Sequence, residues 1–129
     1  MHSATFNRIG KLLAFAAVVE IVTGLAVLVV PALVIRLLLG VEAAGVALAM
    51  GRVFGIALIA LGLACWPMRW KPQTAGASWR AMLAYNAMIA LYLAWLGLGV
   101  HVGGLLLWPA VALHAAVALL LVLAARADN

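Results

Sequence analysis

Four side chains stand in almost wholly apolar surroundings: Glu20, Arg52, Asn86 and His114. A carboxyl, a guanidinium, an amide and an imidazole could together hold a proton, an ion or a polar solute. They could equally tie helices together by hydrogen bonds. An ionised side chain at the middle of a membrane helix costs roughly 2.5–3.5 kcal/mol, so such residues usually turn toward protein and find partners. Each of the four belongs to a different apolar run.

Depth within a run follows from the helical rise. At 1.5 Å per residue, Glu20 lies about 12 Å beyond Leu12, and Asn86 about 12 Å beyond Ser78. His114 lies about 18 Å before Arg126, and Arg52 about 21 Å before Trp66. Glu20 is therefore level with Asn86, and His114 with Arg52. Thr23 falls between the two tiers, and Tyr92 on the third run shares the level of Arg52. The expected cluster is Glu20, Thr23, Arg52, Asn86, Tyr92 and His114. Within it, Glu20 is expected to pair with Asn86. A direct Glu20–Arg52 ion pair is disfavoured, because helical side chains lean toward their own N-termini and these two lean apart. Three uses fit such a centre: glue that sets helix register, a proton or solute site, or a contact for a cofactor or a partner subunit.

Arg52 is expected to face protein. Gly51, Gly55 and Gly62 form a ridge beside it, and small residues at this spacing let two helix backbones approach. Packing within one chain is the favoured use of that ridge, with a seam between copies as the alternative. Snorkelling of Arg52 toward the near end of its helix is the competing placement.

Other chemistries lack their residues. No HExxH, CxxC or EF-hand spacing occurs, and Val102 stands where a dinucleotide fingerprint starting at Gly97 would need its third glycine. His2, His101 and His114 fall at three depths, so one chain offers at most a single axial haem ligand, His114. No serine lies within an apolar run to act as an acyl-transfer nucleophile. The expectation is a protein that is not an enzyme and carries no metal or cofactor. Cys65 is the sole cysteine, which excludes an intrachain disulfide and suits a packing residue.

The elements that must position these residues follow from composition. Of 129 residues, 70% are apolar and 9% charged, and mean hydropathy is +1.28. A soluble domain carries about 25% charged residues. A soluble enzyme, a disordered chain and a nucleic-acid binder are thereby excluded, and the net charge of +5 comes from basic residues between the apolar runs. The reading is a single all-α domain, an integral membrane four-helix bundle running up-down-up-down. Its spans are expected at about 12–30, 44–66, 79–99 and 105–125. Pro31 should break the first, leaving Pro31–Leu39 as a short interfacial helix stopped by Gly40. Residues 67–78 should form the longest wet loop, and the glycines around His101 a tight turn. Leu12–Val19 could imitate a secretory signal, but the apolar chain resumes after Glu20, so a retained first span is expected.

Arg8, Lys11, Arg69, Lys71, Arg80 and Arg126 fall on one side of this arrangement and Arg36 on the other. Positive-inside counting then places both termini in the cytoplasm. Trp66, Trp70 and Trp79 mark the inner interface, Trp95 and Trp108 the outer one.

The motifs ExxTG (Glu20, Thr23, Gly24), LLLG (Leu37–Gly40), GRVFG (Gly51–Gly55), YNA (Tyr85–Ala87) and LLWPAVALH (Leu106–His114) span nearly the whole chain. With them it resembles a large class of small bacterial four-transmembrane-helix proteins. By helix count and glycine-rich spans it is also similar to DoxX-like proteins. The resemblance implies the fold and a bacterial inner-membrane location, and supplies no substrate or catalytic residue. The expected function is a non-catalytic packing, accessory or self-associating subunit in contact with lipid, within a homo-oligomer or a larger complex. A small transporter or channel using the polar centre is the alternative.

Overall fold

The computed structural model describes residues 2–67 and 72–127, with side chains for 8–67 and 76–127. Arg69, Trp70, Lys71 and residues 128–129, which the topology reading uses, lie outside the described residues. The described chain is helical, with no strand. Helix α1 spans His2–Val29, α2 Pro31–Leu39, α3 Val46–Ala64, α4 Pro72–Trp95 and α5 Leu107–Arg126. Leu96–Val100 continues α4 as one widened π-helical turn. Four helices are long and apolar enough to cross a membrane: Arg8–Val29, Val46–Ala64, Gly76–Val100 and Leu107–Arg126.

Local chemistry explains the breaks. Val30 leaves the helical region (φ −128°, ψ 57°), and Pro31, which has no amide to donate, becomes the first residue of α2. Gly40 ends α2 in the left-handed conformation (φ 72°), its amide bonded to the Arg36 carbonyl at 2.9 Å. Both positions agree with the sequence reading. The loop at 67–78 does not persist as expected, because α4 already begins at Pro72. Proline is favoured in a first helical turn, where its missing amide costs nothing.

The turn after the π-helical segment seals the end of α2. Gly104 and Leu106 donate their amides to the carbonyls of Leu38 and Leu37, at 2.9 and 2.8 Å. These are carbonyls that a helix C-terminus leaves unpaired. A methyl on Gly40 would lie 2.7 Å from the Gly103 carbonyl oxygen, so only glycine permits the approach.

Helix α1 is the hub, packing on α3 along one side and on α4 and α5 along another. The α1–α3 contact is nearly backbone to backbone. A methyl on Gly55 would sit 2.7 Å from the Gly24 carbonyl oxygen and 2.8 Å from the Leu28 amide nitrogen. One on Gly62 would meet Ala17 O at 2.8 Å, and Gly51 faces Pro31. The ridge of Gly51, Gly55 and Gly62 is thus used inside the chain. Leu13, Ala16, Ala17, Cys65, Met82, Val117 and Leu121 form a buried core toward the start of α1. There the Trp79 indole donates to Leu121 O at 3.0 Å, linking α4 to α5. Beyond its C-terminal end, where Ser78 Oγ donates to Ala64 O at 3.4 Å, α3 has almost no contact with α4 or α5. Its outer face carries exposed Met50, Val53, Phe54, Ile56 and Leu63.

Gly55→Ala is expected to destabilise the protein by about 1–3 kcal/mol, the usual cost of forcing atoms into a packed contact. At Gly10 and Gly76 a methyl would meet nothing within 4 Å. Alanine there should be neutral or should stabilise by up to about 1 kcal/mol through helix propensity. Melting of the three purified variants in mild detergent measures the difference.

Candidate functional site

Three helices bring polar side chains together just beyond the buried core. Glu20 of α1 and Asn86 of α4 are each 1% exposed, and the His114 side chain of α5 is 11% exposed. Tyr85 of α4 completes the group.

The hydrogen bonds orient one another. Asn86 Nδ2 donates to its own helix at Met82 O, 2.9 Å away. This turns Oδ1, which can only accept, toward His114 Nδ1 at 2.8 Å. His114 is therefore the donor, with a proton on Nδ1, as the amide orientation requires. The same nitrogen lies 3.9 Å from Glu20 Oε1, beyond hydrogen-bond distance but close for a charge. The Tyr85 ring meets the His114 ring edge-on, with centroids 5.8 Å apart and planes at 82°. Glu20 Oε2 is buried without any hydrogen-bond partner.

The sequence-predicted residues divide here. Glu20, Asn86 and His114 converge. The expected Glu20–Asn86 bond does not form; the Asn86 oxygen lies against His114 instead. Arg52, Thr23 and Tyr92 are exposed and do not join the cluster. Arg52 follows Gly51 by one residue, or about 100° around the helix, which carries it off the face that meets α1. Within the chain Arg52 does not face protein, contrary to the expectation. Thr23 precedes Gly24, which holds the α3 contact. Tyr92 is 55% exposed and stacks on Trp95, with centroids 5.7 Å apart. Tyr85 was not among the predicted site residues, although it adjoins Asn86 and shares its depth.

The surroundings limit the chemistry. Among the described residues, no three His, Cys, Asp or Glu side chains converge as metal ligands. The buried Cys65 thiol points to Ser78 O at 3.6 Å. A recess of about 340 Å³ lies near the other end of the helices, against Gly97, His101 and Trp108, and none of the four polar residues lines it. No family model, curated protein or solved structure matches the chain. The assignment therefore rests on the geometry.

Asn86→Ala and His114→Ala should be coupled. A double-mutant cycle read by detergent melting is expected to give about 0.6–1.7 kcal/mol, the range of hydrogen bonds between membrane helices. Tyr92→Leu, on the outer surface, should change stability by no more than about 0.5 kcal/mol.

Proposed function

We propose that this chain is a small multi-pass membrane protein acting as a non-catalytic accessory or self-associating subunit. In this reading the four long helices run up-down-up-down and α2 lies at the interface. Both termini face the cytoplasm, in a bacterial inner membrane. Exposed Arg8, Lys11, Arg80 and Arg126 at one end, against Arg36 at the other, support the orientation. Arg36 is itself paired with Glu42, at 3.6 Å.

The open face of α3 carries the subunit reading. Its inner side is spent on α1, while its outer side is apolar and bears Arg52. An arginine turned outward from a span is costly unless headgroups or another polypeptide receive it. A second chain against α3 would cover both the arginine and the apolar surface. The unpartnered oxygen of Glu20 favours the second reading, a small transporter or channel for a proton, ion or small solute.

Single cysteines in a Cys65→Ala background test the subunit reading in native membranes. Ile56→Cys on the outer face of α3 is expected to give an oxidative dimer. Leu119→Cys, equally exposed but on α5, should not. A monomeric mass in mild detergent, with no cross-link from either position, would remove the self-associating form of the proposal.

A further inference from the structure

We propose that Glu20 is a buried proton-binding site, whose carboxyl is loaded and unloaded from the side of His114. This goes beyond the packing role and does not depend on the α3 interface. The motivating observation is a buried carboxyl oxygen that has no partner. His114 Nδ1 stands 3.9 Å from Oε1, beyond hydrogen-bond distance. Oε2 is enclosed and has nothing. A cluster serving only to join helices would need no such oxygen, since a buried acceptor without a donor weakens the structure.

A proton suits the place better than a metal cation. The cluster offers one carboxyl, one amide oxygen that already accepts from His114, and one hydroxyl, and hard cations take six or more oxygens. The groups facing Glu20 from each packed element are few. They are Tyr85 and Asn86 from α4 and His114 from α5, with the buried Cys65 at the end of α3. Arg52 and Arg36 are exposed on other surfaces and supply no compensating cation. Loading adds one proton to a lone pair of the carboxylate, forming an O–H bond and cancelling the charge. Unloading breaks that bond and returns the proton to water. Glu20 and Asn86 are sealed, whereas His114 keeps an exposed edge and its Nε2 has no partner among the described residues. The exchange route therefore passes His114.

The chain has only two glutamates, Glu20 and Glu42, and Glu42 is exposed, with a side chain 84% accessible. Carbon-13 labelling of glutamate thus isolates two carboxyls in the full-length protein, and Glu42→Gln isolates one. Infrared spectra of this protein in phospholipid vesicles, titrated from mildly acidic to mildly alkaline pH, should show a labelled protonated-acid carbonyl band. The band is expected to be lost reversibly as pH rises and to shift on transfer to deuterium oxide. His114→Gln should slow that deuterium shift. No labelled acid band at any pH where the helices persist would overturn the proposal, as would a band that neither titrates nor exchanges. Neither reading requires that a Glu20 variant fold.

Discussion

Close backbone approach of α1 to α3 is the contact on which the rest of the structure depends. Where the outer surface is as apolar as the interior, burying one more leucine gains little over leaving it in hydrocarbon. Helices then associate through tight packing and hydrogen bonds. Gly24 and Gly55 supply the tight packing by placing carbonyl oxygens where side chains would otherwise stand. That leaves the adjacent side of α1, with Ala16, Ala17 and Glu20, free to meet α4 and α5. The two contacts are made by different means, one by removing side chains and the other by bonding them.

The second contact is short of polar balance for a physical reason. Asn86 directs its amide nitrogen to Met82 O, one turn earlier in its own helix, and makes no hydrogen bond to Glu20. A side chain bonded locally within its helix is held by chain connectivity and needs no partner helix in a fixed place. The geometry then passes outward: Met82 orients Asn86, Asn86 orients His114, and His114 stops 3.9 Å short of Glu20. The relay fixes the ring and leaves Glu20 Oε2 without a partner.

Part of this was legible in the sequence. The break at Pro31 and the stop at Gly40 could be read because the missing amide and the left-handed φ are properties of those residues themselves. The convergence of Glu20, Asn86 and His114 could be read in outline, since interior polar groups must face protein and helical rise sets their level. Rise carries no direction around the helix axis, and that is where Arg52, Thr23 and Tyr92 went astray. The inward direction of α3 is chosen by Gly51, Gly55 and Gly62, and its neighbour Arg52 is turned away by the same choice. The early start of α4 was hidden by composition, because proline, glycine and polar residues suggest a loop although the first turn of a helix accepts them.

The position of Glu20 also decides from which direction it can be reached. Below it, toward the start of α1, Leu13, Ala17, Met82, Val117 and Leu121 close the space between the three helices with side chains buried almost completely. On the α3 side, Gly24 against Gly55 and Ala17 against Gly62 leave no gap wide enough for a methyl, and so none for water. The partly covered members of the cluster lie on α4 and α5. There Tyr85 and His114 meet edge-on rather than stacked, and each is only partly covered. His114, which bonds the polar centre through Asn86, is thus also a residue that stands between it and the outside.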